Sequence, residues 1–562
     1  MIHSSKRNVR ALISIAKQKG VKHIVFSPGS RNAPLIIGFT ADPHFSCISI
    51  PDERSAGFIA LGIAQATGTT VVVCCTSGSA AVNYYPAVTE AFYQRLPLVV
   101  VTADRPQEMI DQADGQTIRQ VGVFANHIYY QANLQNDAED VQSASYTERV
   151  LNEAFNEAWI NPGPVHINMP FKEPLYGTLP PETPIEKWRN IRAVPCRQQP
   201  TNEWDELALA WNQSDKKLII IGQLPPDHNL TAYINTLAED PGTLIFTEST
   251  SNINVKNAII GIDRVVNTVK REHWRHIKAD ILLTIGEAVV SKKVKTMLRE
   301  NKPDQHWHVA MRHPHPDTYQ ALTVSVMARP HAFLEFLAEH SILTNGDFGS
   351  RWIALDKSRD ALHESFLAQA PYSDLTVYGH ILPALPANSV LHLANSSPVR
   401  YVQLFKEGRH LPHYANRGAS GIDGCTSTAL GYSLASDKIN VLISGDIAFL
   451  YDSNAFLNRN VPQNLRVIVI NNGGGNIFRI IGGPDQTRVM DEFFEAAQPA
   501  NISGIAETYG LEYVLIQTED ELKDALAEFF NEAGGAAIME IITPRDINPE
   551  VLENYFKYLR NG

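Results

Sequence analysis

Three consecutive α/β domains, each a doubly wound parallel sheet, are predicted by three observations. Short β-branched runs alternate with helical patterns along the chain, the grammar of strands that cross over through helices into parallel sheets covered on both faces. A length of 562 residues exceeds what one hydrophobic core organises, because domains hold roughly 100–200 residues. The periodicity also breaks twice, once over a proline- and charge-rich stretch and once over a polar one.

Taken in order, residues 23–26, 47–50, 71–75 and 98–102 read as strands, with a helix over 80–94. The stretch 176–200 (YGTLPPETPIEKWRNIRAVPCRQQP) interrupts this pattern and is the predicted first linker. A second α/β segment has strands at 217–222, 243–246 and 280–285 and ends near the polar run 344–350, TNGDFGS. The third repeats the grammar with strands at 390–393, 441–444 and 465–470. The expected domains are therefore 1–180, 200–345 and 355–562.

Composition narrows the functional class. With 44% hydrophobic and 19% charged residues the chain is ordinary globular protein. Its 48 basic residues against 60 acidic ones give a net charge of −12, which argues against nucleic acid as a partner. No apolar run approaches the ~20 residues of a membrane helix. The opening MIHSSKRNVRALISIAKQKG is amphipathic and lacks the apolar block of a secretory signal, so it reads as a surface helix. Five cysteines (Cys47, Cys74, Cys75, Cys196 and Cys425) are odd in number and without CxxC spacing, which favours buried thiols over disulfides or zinc. A soluble, cytoplasmic protein is expected.

Two strand-end loops carry the strongest chemical signal. The strand at 441–444 runs into Gly445-Asp446, and the strand at 465–470 runs into Asn471-Asn472-Gly473-Gly474-Gly475. Ligands of open parallel sheets bind beyond the carboxyl ends of strands, so both loops belong to the functional edge. Asp446 and the Asn472 amide oxygen are hard ligands of the kind Mg²⁺ prefers, a backbone carbonyl can supply a third, and the glycines let the backbone approach phosphates. Each dipeptide alone is more often an ordinary turn. Together, with one crossover helix between them, they resemble the GD(G)…NN motif of the thiamin-diphosphate-dependent 2-oxo-acid decarboxylase and synthase superfamily, although Ile447 stands at the motif's third glycine.

That resemblance implies thiamin diphosphate and Mg²⁺, or Mn²⁺, as cofactors, with Asp446, Asn472 and the Gly474 carbonyl as metal ligands. It also implies an activating glutamate at the end of the first domain's second strand, bonded to the cofactor's aminopyrimidine ring. Glu53 stands at such a junction. Local chemistry alone reads Asp52 as a helix cap and Glu53 as a complement to the helix dipole. The flanking DERSAGFIALGIAQATG, however, is similar to the superfamily's run after that glutamate. In the superfamily the first domain of one subunit meets the third domain of another. A homodimer or homotetramer with active sites at subunit interfaces is therefore implied.

A closer resemblance runs through SPGSR-x-x-PL, TSGSA-x-x-NYYPAV-x-EA, TADRP, GQTIRQ, NSSPVR, NRGASGIDG and NNGGGNIF. Together these resemble the 2-succinyl-5-enolpyruvyl-6-hydroxy-3-cyclohexene-1-carboxylate synthase family of menaquinone biosynthesis, which joins 2-oxoglutarate to isochorismate with loss of CO₂. Both substrates are dicarboxylates, and arginine is preferred where planar bidentate contact to carboxylate is needed. Arg31, Arg105, Arg119, Arg400 and Arg417 all fall in the motif loops. By resemblance Arg31, Ser30 and Gln116 join Glu53 at the reacting centre, and Arg105, Arg119, Lys292, Ser396 and Arg400 hold substrate. Arg417, Gly445, Gly475, Ile422, Ile477 and Phe478 would contact the cofactor, the last three as its apolar support. Arg119 has the alternative of pairing with Asp114 or Asp111, and Lys292 that of a solvated helix-start lysine. The rival functions are another thiamin-dependent carboligase or decarboxylase, a catalytically inactive metabolite sensor of the same fold, and a nicotinamide oxidoreductase. The last lacks a G-x-G-x-x-G with an acidic residue about 20 positions on.

Overall fold

The computed structural model describes residues 3–136, 140–180, 182–184, 186–195, 199–311, 316–480, 487–497, 501–531 and 534–562. Three six-stranded sheets follow one another along the chain, and every strand pair within them is parallel. Their central strands, such as Val71–Cys75, Leu98–Asp104 and Lys217–Ile221, are buried along their whole length. Helices cover both faces, and near-continuous apolar sequence is the form such strands take.

The first sheet is ordered Ser46–Ser49, His23–Phe26, Val71–Cys75, Leu98–Asp104, Val165–Pro170, Tyr130–Asn133. The third is ordered His413–Ala415, Ser389–Leu393, Ile439–Gly445, Leu465–Asn471, Ala537–Ile542, Glu512–Ile516. Counted from its own first strand, each has the order 2-1-3-4-6-5. The middle sheet differs, running Ala258–Ile259, Thr243–Thr247, Lys217–Ile221, Ile281–Ile285, Gln305–Val309, Val324–Val326, or 3-2-1-4-5-6. The first and third domains are thus one topological unit used twice.

Those two units share a core. A single cluster of buried side chains runs from Val25, Phe58 and Val73 of the first to Leu442, Phe449 and Val467 of the third. Its spine is the crossing of helix Glu53–Thr67 on helix Cys425–Leu434. The crossing is close because it is built on glycines: a Cβ at Gly62 would overlap the Thr428 carbonyl oxygen, and one at Gly431 the Ile59 carbonyl oxygen.

Local departures from the sequence expectation are small. The helix expected over 80–94 is two, Ser79–Asn83 and Tyr85–Gln94, because Pro86 has no N–H to continue the first and fits the opening turn of the second. The opening helix, Arg7–Gln18, buries one face through Val9, Leu12 and Ile15. Cys74, Cys75 and Cys425 are buried, Cys47 is half-buried, and all four are free thiols; Cys196 lies outside the described residues. Among the described residues no helix is long and apolar enough to cross a membrane.

Candidate active site

In the third sheet the strand order reverses between Ser389–Leu393 and Ile439–Gly445, and the loops leaving these strands diverge, opening a crevice at the switch point. A cavity of about 300 Å³ occupies it. Gly445, Asp446, Asn472, Gly474 and Gly475 line one side, and Ser396, Ile422, Ile477 and Phe478 line the rest. Gly445, Asp446, Asn472, Gly474 and Gly475 of the two strand-end loops therefore meet in one place, whereas the Asn471 side chain turns away to Glu540.

Asp446 begins the helix Asp446–Tyr451 and is buried. Its Oδ1 accepts from the Ile447 N–H at 2.8 Å, whereas its Oδ2 is buried with no hydrogen-bond partner. Burial lifts this carboxyl to about 7. A buried acceptor without a donor is costly unless something positive satisfies it, so the donor set fits a hard cation. Asn472 is also buried, and its amide nitrogen donates to Asp374 Oδ2 at 2.9 Å, which leaves its oxygen as the free branch. Gly473 and Gly474 turn the chain with φ of 79° and 143°, conformations that side chains disfavour. The Gly475 N–H then donates to the Glu495 carbonyl at 2.7 Å. Although burial opposes it, the Arg479 and Arg545 guanidiniums hold the Glu495 carboxyl down to about 2.

The loop carrying Arg417 and Ile422 is pinned from two sides. Asn395 donates to the carbonyls of Asn416 and Gly421, both at 2.6 Å, and accepts from Arg417 Nη1 at 2.7 Å. From the first domain, the buried Glu90 accepts from the Gly418 and Ala419 N–H groups at 2.7 and 2.6 Å. Arg417 thus lies buried behind the cavity, while Ile422 packs on Ala394, Cys425 and Ala448 and faces into it.

A second cavity, about 1250 Å³, shares Ser397 and Ile477 with the first. Lys292, Lys293 and Arg400 line it, together with Arg479, Arg488 and Arg560. Arg400 Nε is buried without a hydrogen-bond partner. Lys292 is exposed at the first turn of helix Lys292–Glu300, which Ser291 caps by accepting from the Val294 N–H at 3.1 Å. It is a solvated helix-start lysine and also a cavity-lining one.

The remaining predicted residues cluster at the strand ends of the first sheet. Glu53 opens the helix Glu53–Thr67, whose cap is Asp52, accepting from the Arg54 and Ser55 N–H groups at 2.9 and 3.2 Å. Glu53 is half-buried, meets Asn83 Nδ2 at 3.4 Å, and is not among the described residues lining either cavity. Arg31 is buried, donating to the Phe171 carbonyl at 2.9 Å and pairing with Glu173 at 3.3 Å; Ser30 beside it is exposed. Arg105 Nη2 donates to the Gly115 carbonyl at 3.0 Å. Gln116 is exposed with a left-handed φ of 55° and lies over Gly78. Arg119 pairs with Asp111 at 2.8 Å, both side chains mostly in solvent.

Three thiamine pyrophosphate enzyme families match the chain in succession. Residues 7–124 match the family described as thiamine pyrophosphate enzyme, N-terminal TPP binding domain, and residues 397–541 its C-terminal TPP binding domain. Residues 182–393 match the middle domain of thiamine pyrophosphate. The chain is 42% identical over 560 residues to the 2-succinyl-5-enolpyruvyl-6-hydroxy-3-cyclohexene-1-carboxylate synthase of Flavobacterium psychrophilum, covering all of both chains. The same-named protein of Porphyromonas gingivalis is 40% identical, with 99% of this chain and 98% of the other covered. The chain belongs to this synthase family. It is therefore a thiamin-diphosphate-dependent enzyme that forms carbon–carbon bonds, and its first and third domains are the cofactor-binding ones.

Several residues that organise this synthase's site escaped the sequence reading. Asp374, Asn395 and Glu90 each hold a predicted residue or its loop in place. Asn395 and Glu90 lie inside motifs already noted, NSSPVR and TSGSA…EA, but as buried acceptors and donors of distant backbone they carry no local pattern. Asp374 reads as an ordinary first-turn acid behind the capping residue Ser373.

Proposed function

We propose that this synthase joins 2-oxoglutarate to isochorismate with release of CO₂, in the cytoplasm, as a homodimer or homotetramer whose active sites lie between subunits. The observation that carries the reading is the cavity at the third domain's switch point. Its bare carboxylate oxygen on Asp446 and free amide oxygen on Asn472 suit Mg²⁺, or Mn²⁺, and it opens toward a larger space rimmed by Arg400 and Lys292. Thiamin diphosphate, when bound, supplies a nucleophilic carbon and an electron sink for the carboxyl group that leaves.

The protein's share is placement and charge. Asp446, Asn472 and the Gly474 carbonyl would hold the cation, whose charge would offset that of the diphosphate, and Gly445 and Gly475 would let the backbone approach the phosphates. Ile422, Ile477 and Phe478 give the cofactor apolar support and keep water from the reacting carbon, and Arg417 stabilises the loop behind it. Glu53, delivered by a second subunit, would hold and move the proton at the bound cofactor's aminopyrimidine ring. Arg31, Arg105, Arg119, Arg400 and Lys292 hold substrate carboxylates as fixed cations, while Ser30, Gln116 and Ser396 donate to oxygens of the reacting groups. Such preorganised charge costs no reorganisation when the reaction occurs.

The test is an assay of purified protein with thiamin diphosphate, Mg²⁺ and 2-oxoglutarate, with and without isochorismate. Loss of both substrates that depends on isochorismate is expected. CO₂ release that ignores isochorismate would make this a decarboxylase or a ligase with another acceptor. Separately, Asp446→Ala should abolish Mg²⁺-dependent cofactor binding by calorimetry, and tight binding by that variant would refute the metal site.

A further inference from the structure

A carboxamide presents oxygen on one branch and nitrogen on the other, and the two orientations fill the same space, so only the hydrogen-bond partners decide which branch faces where. For Asn472 the partner is Asp374, whose carboxylate accepts and does not donate. We propose that Asp374 is a positioning residue for the metal site: by engaging the Asn472 nitrogen it commits the amide oxygen to the cation. The proposal rests on the reading of Asp446 and Asn472 as metal ligands and names the residue that makes one of them a ligand at all.

The carboxylate is itself fixed from several directions. Asp374 is 1% exposed. Its Oδ2 takes the Asn472 amide N–H at 2.9 Å. Its Oδ1 accepts from Thr543 Oγ1 at 2.6 Å and from Asn548 Nδ2 at 2.9 Å. Its backbone N–H donates to Asn548 Oδ1 at 2.8 Å, and the Thr543 N–H donates to the Asn471 carbonyl at 3.1 Å, tying the network to the strand end that bears Asn472. With both oxygens met by donors, Asp374 is set behind the ligand, although it borders the same cavity as Asp446. Flipping the Asn472 amide would turn its oxygen onto a carboxylate and its N–H₂ toward the cation, unfavourable at both ends. Outer partners of this kind typically change metal affinity by about 10–100-fold when lost.

The experiment follows thiamin diphosphate binding to the full-length protein by calorimetry while Mg²⁺ is titrated, so that no turnover is needed. Asp374→Asn places a donor against a donor and should raise the Mg²⁺ half-saturation by about 10–100-fold. Thr543→Val leaves the Asn472 contact intact and should move it less than about threefold. The exchange Asp374→Asn with Asn472→Asp restores a donor–acceptor pair in the opposite sense and returns an oxygen to the cation. It should recover Mg²⁺ half-saturation to within about fivefold of the unaltered protein, or tighter. A single variant with unaltered Mg²⁺ dependence, or an exchange no better than the single variant, would overturn the proposal. If Asp374→Asn does not fold, the exchange decides alone, since it keeps every hydrogen bond: a half-saturation raised tenfold or more counts against the idea. Cofactor binding by the unaltered protein that needs no divalent cation would instead sink the metal-site reading beneath it.

Discussion

The first and third domains have the same strand order, yet their functional edges are finished to different degrees within one chain. In the third, the switch-point loops frame a cavity, and Asp446, Asn472 and Asp374 are buried and held in place. In the first, Glu53 is half-buried, Ser30, Gln116 and Arg119 are exposed, and Arg105 is half-buried. Their hydrogen bonds run mostly within their own loops. One topology thus ends in two kinds of edge, a buried socket in the third domain and a surface of exposed polar side chains in the first. In the proposed assembly, a third-domain socket on another copy of the chain would cover this surface. The shared core between helices Glu53–Thr67 and Cys425–Leu434 fixes the two edges of one chain relative to each other; in the proposed assembly, one chain would contribute half of two sites rather than all of one.

The sharpest way to break that comparison is complementation. Glu53→Gln removes the proton-moving carboxyl and should lower turnover by about 10²–10⁴-fold while cofactor affinity stays within a few-fold. Asp446→Ala should be inactive for the separate reason that it would fail to hold the cation of the proposed metal site. When the two inactive proteins are unfolded together and refolded as a mixture, a two-fold dimer with sites shared between subunits regains about a quarter of full activity. Half of such dimers are mixed, and each mixed dimer carries one intact site of two. No recovery would place Glu53 and Asp446 in the same chain's site.

The seam between the two units gives a smaller, pH-dependent effect. Asp452 lies there, accepting from the Ser427 N–H and Oγ at 2.7 and 2.9 Å, with Arg54 at 4.0 Å. Burial raises its carboxyl from the ordinary 3.8 to about 7. The folded state therefore holds a proton that the unfolded chain gives up more readily. The stability contributed by this group is fullest below about pH 4, falls as pH rises toward 7, and stays low above that. An amide in its place accepts from the Ser427 N–H and donates to its Oγ without ionising. Asp452→Asn should match the unaltered protein in melting temperature near pH 4 and exceed it by a margin that widens as pH rises toward 8. A difference that does not widen with pH would remove Asp452 from the seam's energetics.

How legible all this was depended on the range of the interactions. The three sheets followed from strands whose apolar runs are local facts, and the socket followed from two loops whose spacing along the chain implied adjacent strand ends. Burial of Arg31 against the Phe171 carbonyl, or of Glu90 against Gly418, joins positions 140 and 328 residues apart. No sequence window holds both partners. The identical strand order of the outer domains was likewise invisible, because the order of strands in a sheet is decided by crossovers and not by any one strand's composition.

Arg119 is where the comparison predicts least. Its ion pair with Asp111 leaves 81% and 54% of the two side chains in solvent, and exposed pairs of this kind contribute about 0–1 kcal/mol. If the first-domain edge acts as it stands, Arg119→Ala should change the half-saturating substrate concentration by less than about threefold, with turnover unaltered. If covering by a second chain instead folds the 111–119 loop inward, Arg119 leaves Asp111 for a substrate carboxylate and its loss costs far more. Asp111→Ala separates the two cases: it should be silent if the pair is only superficial, and should tighten substrate binding if Asp111 competes with the carboxylate for the guanidinium. A large Arg119 effect together with a tightening Asp111 variant would mean that the surface is a resting form, with its arginine parked on an acid until the socket of another copy arrives.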